Sequence, residues 1–483
     1  MYLGLDIGTS SVKAVLINAD QRIVASETTG LEVSRPHPGW SEQDPDSWWV
    51  ACQAVLDGLA SSHPTELAAT KGIGLSGHMH GATLLDETDA VLRPCILWND
   101  GRSSEEAAEI SDVAERVTGN IAMPGFTAPK LMWVKRHEPD VFARTKTVLL
   151  PKDYVRLKLS GDKASEMSDS AGTLWLDTAA RAWSDEMLAL TDMNESQMPT
   201  LFEGSAATGT LLPELTSRWG MTGPVAIAGG GGDNAASACG VGAVAAGTGF
   251  ISIGTSGVIF VTADRYRANP AGAVHAFCHA VPGTWHQMGV ALSSAGSLDW
   301  LAGILEASPG DLVDALGPTP TGPSSVLFLP YLSGERTPHN DVAIRGAFVG
   351  LDQADDRKVL TQAVVEGVAF AFKDCFDVLT MPLNEPRQLL AVGGGSRSRY
   401  WLSVIATVLG VPIAVPEDGD FGAAFGAARL GLVAAEDADP FEVCAPPAIR
   451  EVVEPIPALT DAYAAAHAAY CDLYPAIKEV MPR

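Results

Sequence analysis

The chain has 483 residues, 47% of them hydrophobic and 19% charged, with 48 Gly and 31 Pro. At about 100–200 residues per domain this is two or three folded domains, and the composition is globular rather than disordered. Against 58 Asp+Glu stand 32 Lys+Arg, a net charge of −26, which excludes a nucleic-acid coat or a grip on an anionic membrane; a bound polyanion must be held by backbone N–H groups and a few placed cations.

In chain order, MYLGLDIGTSSVKAVLI predicts a strand, a Gly8-Thr9-Ser10 turn and a second strand. Its start has no basic segment and Asp6 interrupts it, so it does not read as a secretory signal. Asp44-Pro45 opens a helix to about residue 60. Strands follow at 72–76, 82–86 and 147–150, with a turn at Glu87-Thr88-Asp89, and helices near 104–117, 129–137 and 151–159. Residues 234–263 carry no charge and are long enough for a bilayer, but Gly240, Gly242, Gly247, Gly249, Gly254 and Gly257 break the stretch into a buried helix and a glycine-cornered hairpin. Beyond it come a long helix at 356–380, a strand at 388–392 running into Gly393-Gly394-Gly395, and a helix to about Leu409. A short strand at 412–415, a helix to about Leu430, an acid- and proline-rich loop at 434–457 and a last helix at about 459–479 complete the chain. The seven cysteines form no CxxC pair and are odd in number, as expected of free thiols in a soluble, cytoplasmic protein.

The chain repeats itself. Residues 5–16 read LDIGTSSVKAVL and residues 251–262 read ISIGTSGVIFVT, half a chain apart. The duplication predicts two α/β lobes, residues 1–245 and 246–483, around a central cleft. A glycine hairpin with free N–H groups and a hydroxyl is a phosphate cradle. The copies are unequal: Asp6 and Lys13 of the first stand where the second has Ser252 and Ile259.

Five constellations are candidates for chemistry. In IAGGGGDNAAS, four glycines, which permit close approach of a ligand to the backbone, lead into Asp233-Asn234 at a helix start, either a carboxylate held in a cleft or a plain N-cap. In LSGHMHGATLLD, His78 and His80 suit hydroxyl-directed hydrogen bonds better than a metal, for which two ligands are too few. WNDGR offers Trp98, Asp100 and Arg102 to a polyol, or a surface Asp100–Arg102 pair. AVGGGSRSRYW suits a nucleotide, and HAFCHA (His275, Cys278, His279) lacks a fourth ligand for a soft metal. There is no GxxxxGK[ST] and no HRD or DFG.

Taken together these residues resemble the FGGY carbohydrate kinases. GFTAPKLMWVKRH (125–137) fits the family's first signature, and residues 346–366 fit the second except at Val359, where a polar residue is usual. GWSEQDP, WNDGR and the DIGTS hairpin stand in family order over essentially the whole chain. The resemblance implies an α/β protein of two duplicated ribonuclease H-like lobes, the sugar kinase/Hsp70/actin fold. Within the family, MHGATLLD, ILWNDGR, MPGFTAPKL, LLPKDY and FLPYLSGERTPHN resemble the branch that uses ATP and Mg²⁺ to phosphorylate the 5-hydroxyl of D-xylulose, with His78 where glutamine is expected. It further implies Asp233 as general base, with Asn234, Met79, His80, Trp98 and Arg102 at the sugar. Asp6 would organise Mg²⁺; Gly8, Thr9, Ser10 and Lys13 would form the first phosphate loop, Gly254 and Thr255 the second, and Gly394-Gly395 the adenosine region. It implies a homodimer with a small-molecule sugar substrate and neither nucleic-acid nor membrane partner. The alternatives are a kinase of the same family acting on ribulose, a polyol or gluconate, and a nucleotide-driven binding protein of the actin/Hsp70 type.

Overall fold

The alternating N-terminal residues fold as β1 (Tyr2–Ile7) and β2 (Ser11–Ile17), antiparallel, with Asp6 opposite Lys13. The computed structural model describes residues 1–379, 388–417 and 421–481, so residue 380 of the expected long helix and residues 482–483 of the second lobe lie outside it. β3 (Ile23–Gly30) continues the meander beside β2, and β4 (Gly72–Gly77) runs parallel to β1 on its other edge. With β5 (Ala207–Thr210) and β6 (Ala226–Ala228) the sheet order is β5-β6-β4-β1-β2-β3. Helix α1 (Pro45–Ser62), capped by the Asp44 side chain, belongs to the core that its Trp48, Leu56 and Leu59 form with Leu3, Leu5 and Ile7.

The second copy folds as β7 (Gly249–Ile253) and β8 (Gly257–Ala263), again antiparallel. β9 (His275–Cys278), β10 (Trp285–Ala291), β11 (Leu389–Val392), β12 (Ile413–Pro416) and β13 (Ile449–Val453) complete a sheet of order β9-β10-β8-β7-β11-β12-β13. From β13 inward the strand senses repeat those from β5 inward: antiparallel, parallel, parallel, antiparallel, antiparallel. The architecture is the duplicated α/β, ribonuclease H-like one. β13 lies in the segment expected to be a loop; its IREVV core alternates side to side, but flanking acids and prolines disguised it.

The two sheets are not independent. Helix α2 (Asp233–Val241) leads out of the first, and helix α3 (Ala423–Glu436), from the far end of the chain, packs on the first sheet rather than on its own. A Cβ at Gly4 would stand 1.8 Å from the Ala424 carbonyl oxygen, and one at Gly74 1.8 Å from that of Ala427. Gly426 meets α2 as closely, 1.7 Å from the Ala236 oxygen. The Arg429 guanidinium then donates to the Cys239 and Gly240 carbonyls in the last turn of α2, where a cation is favoured by the helix dipole.

All seven cysteines are free, six of them buried, and among the described residues no helix is long and apolar enough to cross a membrane.

Gly74→Ala should destabilise the protein by about 1–3 kcal/mol, the range for overpacking a tight core. Gly303→Ala, on an exposed helical turn where a Cβ meets nothing within 4 Å, should leave stability unchanged or raise it slightly. Urea unfolding of both variants checks the pair; equal midpoints would remove the α3 contact from its central place.

Candidate active site

Asp6, next to last in β1, is in register with Ser76 of β4, and Ser76 is in turn in register with Gly231 of the short extension Gly231–Gly232. Two strand spacings of about 4.8 Å each thus separate Asp6 from the entry to α2. The glycine run serves the protein's own backbone: a Cβ at Gly229 would lie 2.2 Å from the Glu203 carbonyl oxygen, and one at Gly230, with φ of +79°, 2.0 Å from that of Leu75. Close approach of a ligand, the sequence-based reason for those glycines, is not what they permit at these two positions.

Gly232, not Asp233, occupies the N-cap position, so Asp233 does not serve as the simple cap. Its Oδ1 accepts from the Asn234 backbone N at 2.7 Å and from Asn234 Nδ2 at 3.0 Å. Burial first, and the Asp6 carboxylate second, push the Asp233 carboxyl up to about 6 against those two donors.

The His78–Gly81 segment leaves β4 and folds against this run. A Cβ on Gly232 would meet the Met79 side chain at 2.9–3.3 Å, and one on Gly172 the His80 ring at 2.6 Å, so Met79 and His80 lie against two glycines. His80 has φ of +71°, a strained conformation for a side-chain-bearing residue. Two donors on its carbonyl, Lys130 Nζ at 2.8 Å and Thr127 Oγ1 at 3.1 Å, hold it there. His80 Nδ1 stands 2.7 Å from the Gly172 carbonyl, which can only accept. The proton is therefore on Nδ1, and Nε2 carries the lone pair. Burial holds this imidazole well below its ordinary value, so it is neutral. His78 differs: its ring is buried edge-on to Trp48, with neither nitrogen hydrogen-bonded among the described residues, and burial takes it down to about 3.

Trp98 is 40% exposed and its Nε1 donates to Thr9 Oγ1 at 3.0 Å, tying the WNDGR segment to the first hairpin. Arg102 goes elsewhere. Its guanidinium bonds both Asp100 oxygens and Glu42, and lies over the Trp40 ring at 3.6 Å, with a side chain 1% exposed. The structural alternative to a polyol contact is the one its donors satisfy, though with a buried rather than a surface pair. Lys130 and Gly172 were not singled out from sequence; a lone lysine inside the apolar TAPKLMW run was the signal for the first, and burial brings it down to about 7.

In the first hairpin turn Gly8 N donates to the Ser11 carbonyl, while the Thr9 and Ser10 carbonyls accept from Gln43 Nε2 and Leu31 N. In the second, the Gly254 and Thr255 carbonyls accept from N–H groups opening the helix Ala295–Ile304. Two cavities meet at Gly394. One of about 630 Å³ is lined by Ser237 of α2, Ser252, Gly394 and Arg450, the other, of about 600 Å³, by Gly254, Thr255, Gly394, Gly395 and Trp401. A Cβ at Gly394 meets nothing within 4 Å, whereas one at Gly395 would strike Ile253 at 2.3 Å. Among the described residues the one grouping of three potential metal-ligand atoms is Asp374, His467 and Cys471 on helices of the second lobe; neither the His78/His80 pair nor HAFCHA belongs to one.

The model of the FGGY family of carbohydrate kinases, N-terminal domain, matches residues 1–240, and that of the C-terminal domain residues 249–435. The chain is 50% identical over 441 residues to a xylulose kinase of Klebsiella pneumoniae and 49% identical over 440 residues to one of Escherichia coli, each alignment covering 90% of both chains. A crystal structure described as a "xyloylose kinase" from Brucella ovis superposes with a TM-score of 0.97 at 58% identity, over 99% of this chain and 100% of that one.

His80 should not titrate between about pH 5 and pH 8, the window of an ordinary histidine. Nitrogen NMR of labelled protein should show protonated Nδ1 and bare Nε2 throughout; a midpoint inside that window, or the reverse tautomer, would break the Gly172 argument.

Proposed function

The chain belongs to the FGGY family of carbohydrate kinases, and from that membership we propose that it transfers the γ-phosphoryl group of ATP to the 5-hydroxyl of D-xylulose, giving D-xylulose 5-phosphate. One observation supports this above the rest. Helix α2 carries both Asp233, directly after the Gly232 that lies against Met79, and one turn later Ser237, in the cavity at the second hairpin. Residues four apart lie on one helix face, so acceptor and donor sites share one short element.

In this mechanism the neutral His80 accepts a sugar hydroxyl proton at Nε2 as a hydrogen bond and fixes the sugar's orientation. Met79 supplies an apolar wall, and Asn234 holds the Asp233 carboxylate while offering a polar edge to the sugar. As the O5–Pγ bond forms and the bond from Pγ to the departing ADP oxygen breaks, the O5 proton passes to Asp233. In a loose transition state that proton leaves late, so a carboxylate titrating near 6 is a sufficient acceptor. Gly8, Thr9, Ser10 and Lys13 would hold phosphates from one side, Gly254 and Thr255 from the other, with Gly394-Gly395 at the adenosine. Trp98 acts through Thr9 and keeps the first turn in place; Arg102 anchors the WNDGR segment. Asp6 and Asp233 are hard oxygen donors of the kind Mg²⁺ takes, and Asp6 would hold it through water. Bound there, Mg²⁺ would supply neutralisation of phosphate charge. The proposal extends to a cytoplasmic homodimer, with residues 1–245 and 246–483 as its lobes; seven free thiols support the compartment.

Asp233→Asn should lower turnover on D-xylulose by at least the roughly 10²–10⁴-fold typical of a general base, with ATP binding by calorimetry retained. In the unsubstituted protein kcat/KM should fall as pH drops through about 6, since a raised carboxyl pKa means protonation and loss of the acceptor on the acid side. Parallel loss of ATP binding would reassign Asp233 to folding.

His80→Ala should raise KM for D-xylulose more than it lowers kcat, because its hydrogen bond is kept from ground state to transition state. The expected loss is about 1–3 kcal/mol, the range for an unsatisfied buried partner. Coupled ADP release across ketoses, polyols and gluconate provides the measurement; KM unchanged for every sugar would take His80 out of the sugar site.

A further inference from the structure

Beneath the Asp233 end of the cleft lie five charged side chains with no exposure at all: Lys152, Asp153 and Arg156 on the helix Pro151–Ser160, Glu166 on an adjacent strand, and Asp169 on the turn Met167–Ala171. This layer touches the cleft directly, since Gly232 N donates to Ser168 Oγ at 3.1 Å.

Two cations face three carboxyls, and the three are not equally supported. Asp153 takes Lys152 Nζ at 2.7 Å on one oxygen and the Ser165 hydroxyl at 2.6 Å on the other. Glu166 accepts from Ser168 N, Ser168 Oγ and Asp169 N, and Lys152 lies 3.4 Å away. Asp169 has Lys152 at 3.4 Å, but neither of its oxygens has a hydrogen-bond partner among the described residues. Arg156 directs its Nη atoms to Thr208 and to the carbonyls of Ala228 and Gly229, not to Asp169. If all five were ionised, a net negative charge would sit buried below Asp233 without solvation, an arrangement that protonation of the least supported carboxyl relieves.

We propose that Asp169 is held as a neutral carboxylic acid and is a positioning residue for the reaction: by keeping its proton it balances the buried layer and leaves the acceptor role to the ionised Asp233. This rests on the assignment of Asp233 as acceptor. In each turnover the O5 proton goes to Asp233, and Asp169 neither gains nor loses one.

The groups acting on Asp169 favour the proton on balance. Burial raises it well above a normal carboxyl, Lys152 opposes, and Asp153, Glu166 and Asp233 add to the rise. On β9, packed over the same turn, His275 is brought down to about 3 and Cys278 up to about 12 by burial, so neither carries charge at neutral pH. Asp177, on the next strand, accepts from Ala179 N and Ala180 N.

The test compares wild type with Asp169→Asn, the neutral shape of the proposed acid, or with Asp169→Ser where the amide does not fold. The infrared difference spectrum at neutral pH should show the carbonyl stretch of a protonated carboxyl lost on substitution. In kinetics on D-xylulose, ionisation of Asp169 should give the wild type an alkaline fall in kcat/KM; the variant should keep kcat/KM at neutral pH within about threefold, with its acid limb in place, and that alkaline fall should move to higher pH. Loss of a carboxylate band instead, an acid limb displaced downward by a unit or more, or an unmoved alkaline limb overturns the proposal. Asp233→Asn separates the two ideas. If it keeps full turnover, the acceptor assignment fails, and the infrared band still decides the proton on Asp169.

Discussion

At Gly4 and Gly74 α3 meets the first sheet backbone against backbone, and the geometry of the cleft depends on that contact. Gly4 and Gly74 let the carbonyls of Ala424 and Ala427 come to a distance that no Cβ would allow. Gly426 does the same toward α2, and Arg429 anchors its C-terminal carbonyls. α3 therefore clamps two things at once: the strand that carries Asp6 and the helix that begins with Asp233. With packing this dense there is little slack to absorb a shift, so the spacing of the two carboxylates is inherited from the glycines and alanines that pack α3 against their strand and helix.

Around those carboxylates the protein manages charge by burial. The imidazoles of His78, His80 and His275 are all kept neutral, in each case chiefly by loss of solvent. A neutral His80 offers a lone pair rather than a second donor, and the ion layer under Gly232 is closed off from water. Such a site needs no rearrangement of its own dipoles when a hydroxyl proton moves, which is the sense in which a preorganised cavity favours phosphoryl transfer.

Much of this was legible from sequence where local chemistry decided the outcome. The two Ile-Gly-Thr-Ser hairpins, the helix opened by Asp44, the run into Asp233 and the duplicated sheets were all written in short patterns. What escaped was decided at long range. No local signal says that α3 covers the other lobe's sheet, that Arg102 turns inward to Asp100, Glu42 and Trp40, or that Lys130 reaches the carbonyl of His80 across 50 residues. β13 was hidden because its pairing with β12, not its composition, makes it a strand. The glycines before Asp233 were noticed for a ligand's sake, whereas Gly229 and Gly230 accommodate Glu203 and Leu75.

The position of α3 in the chain also bears on how the molecule is made. Every strand of the first sheet is complete by residue 232, but the helix that covers Tyr2, Val15 and Ile17 begins only at Ala423. On a translating ribosome those apolar side chains leave the exit tunnel without this cover until the segment from Ala423 onward has been synthesised. The N-terminal half is thus born as a sheet with one bare face, and the moment at which it becomes a finished lobe is set by the arrival of a segment that belongs, by sequence, to the other one.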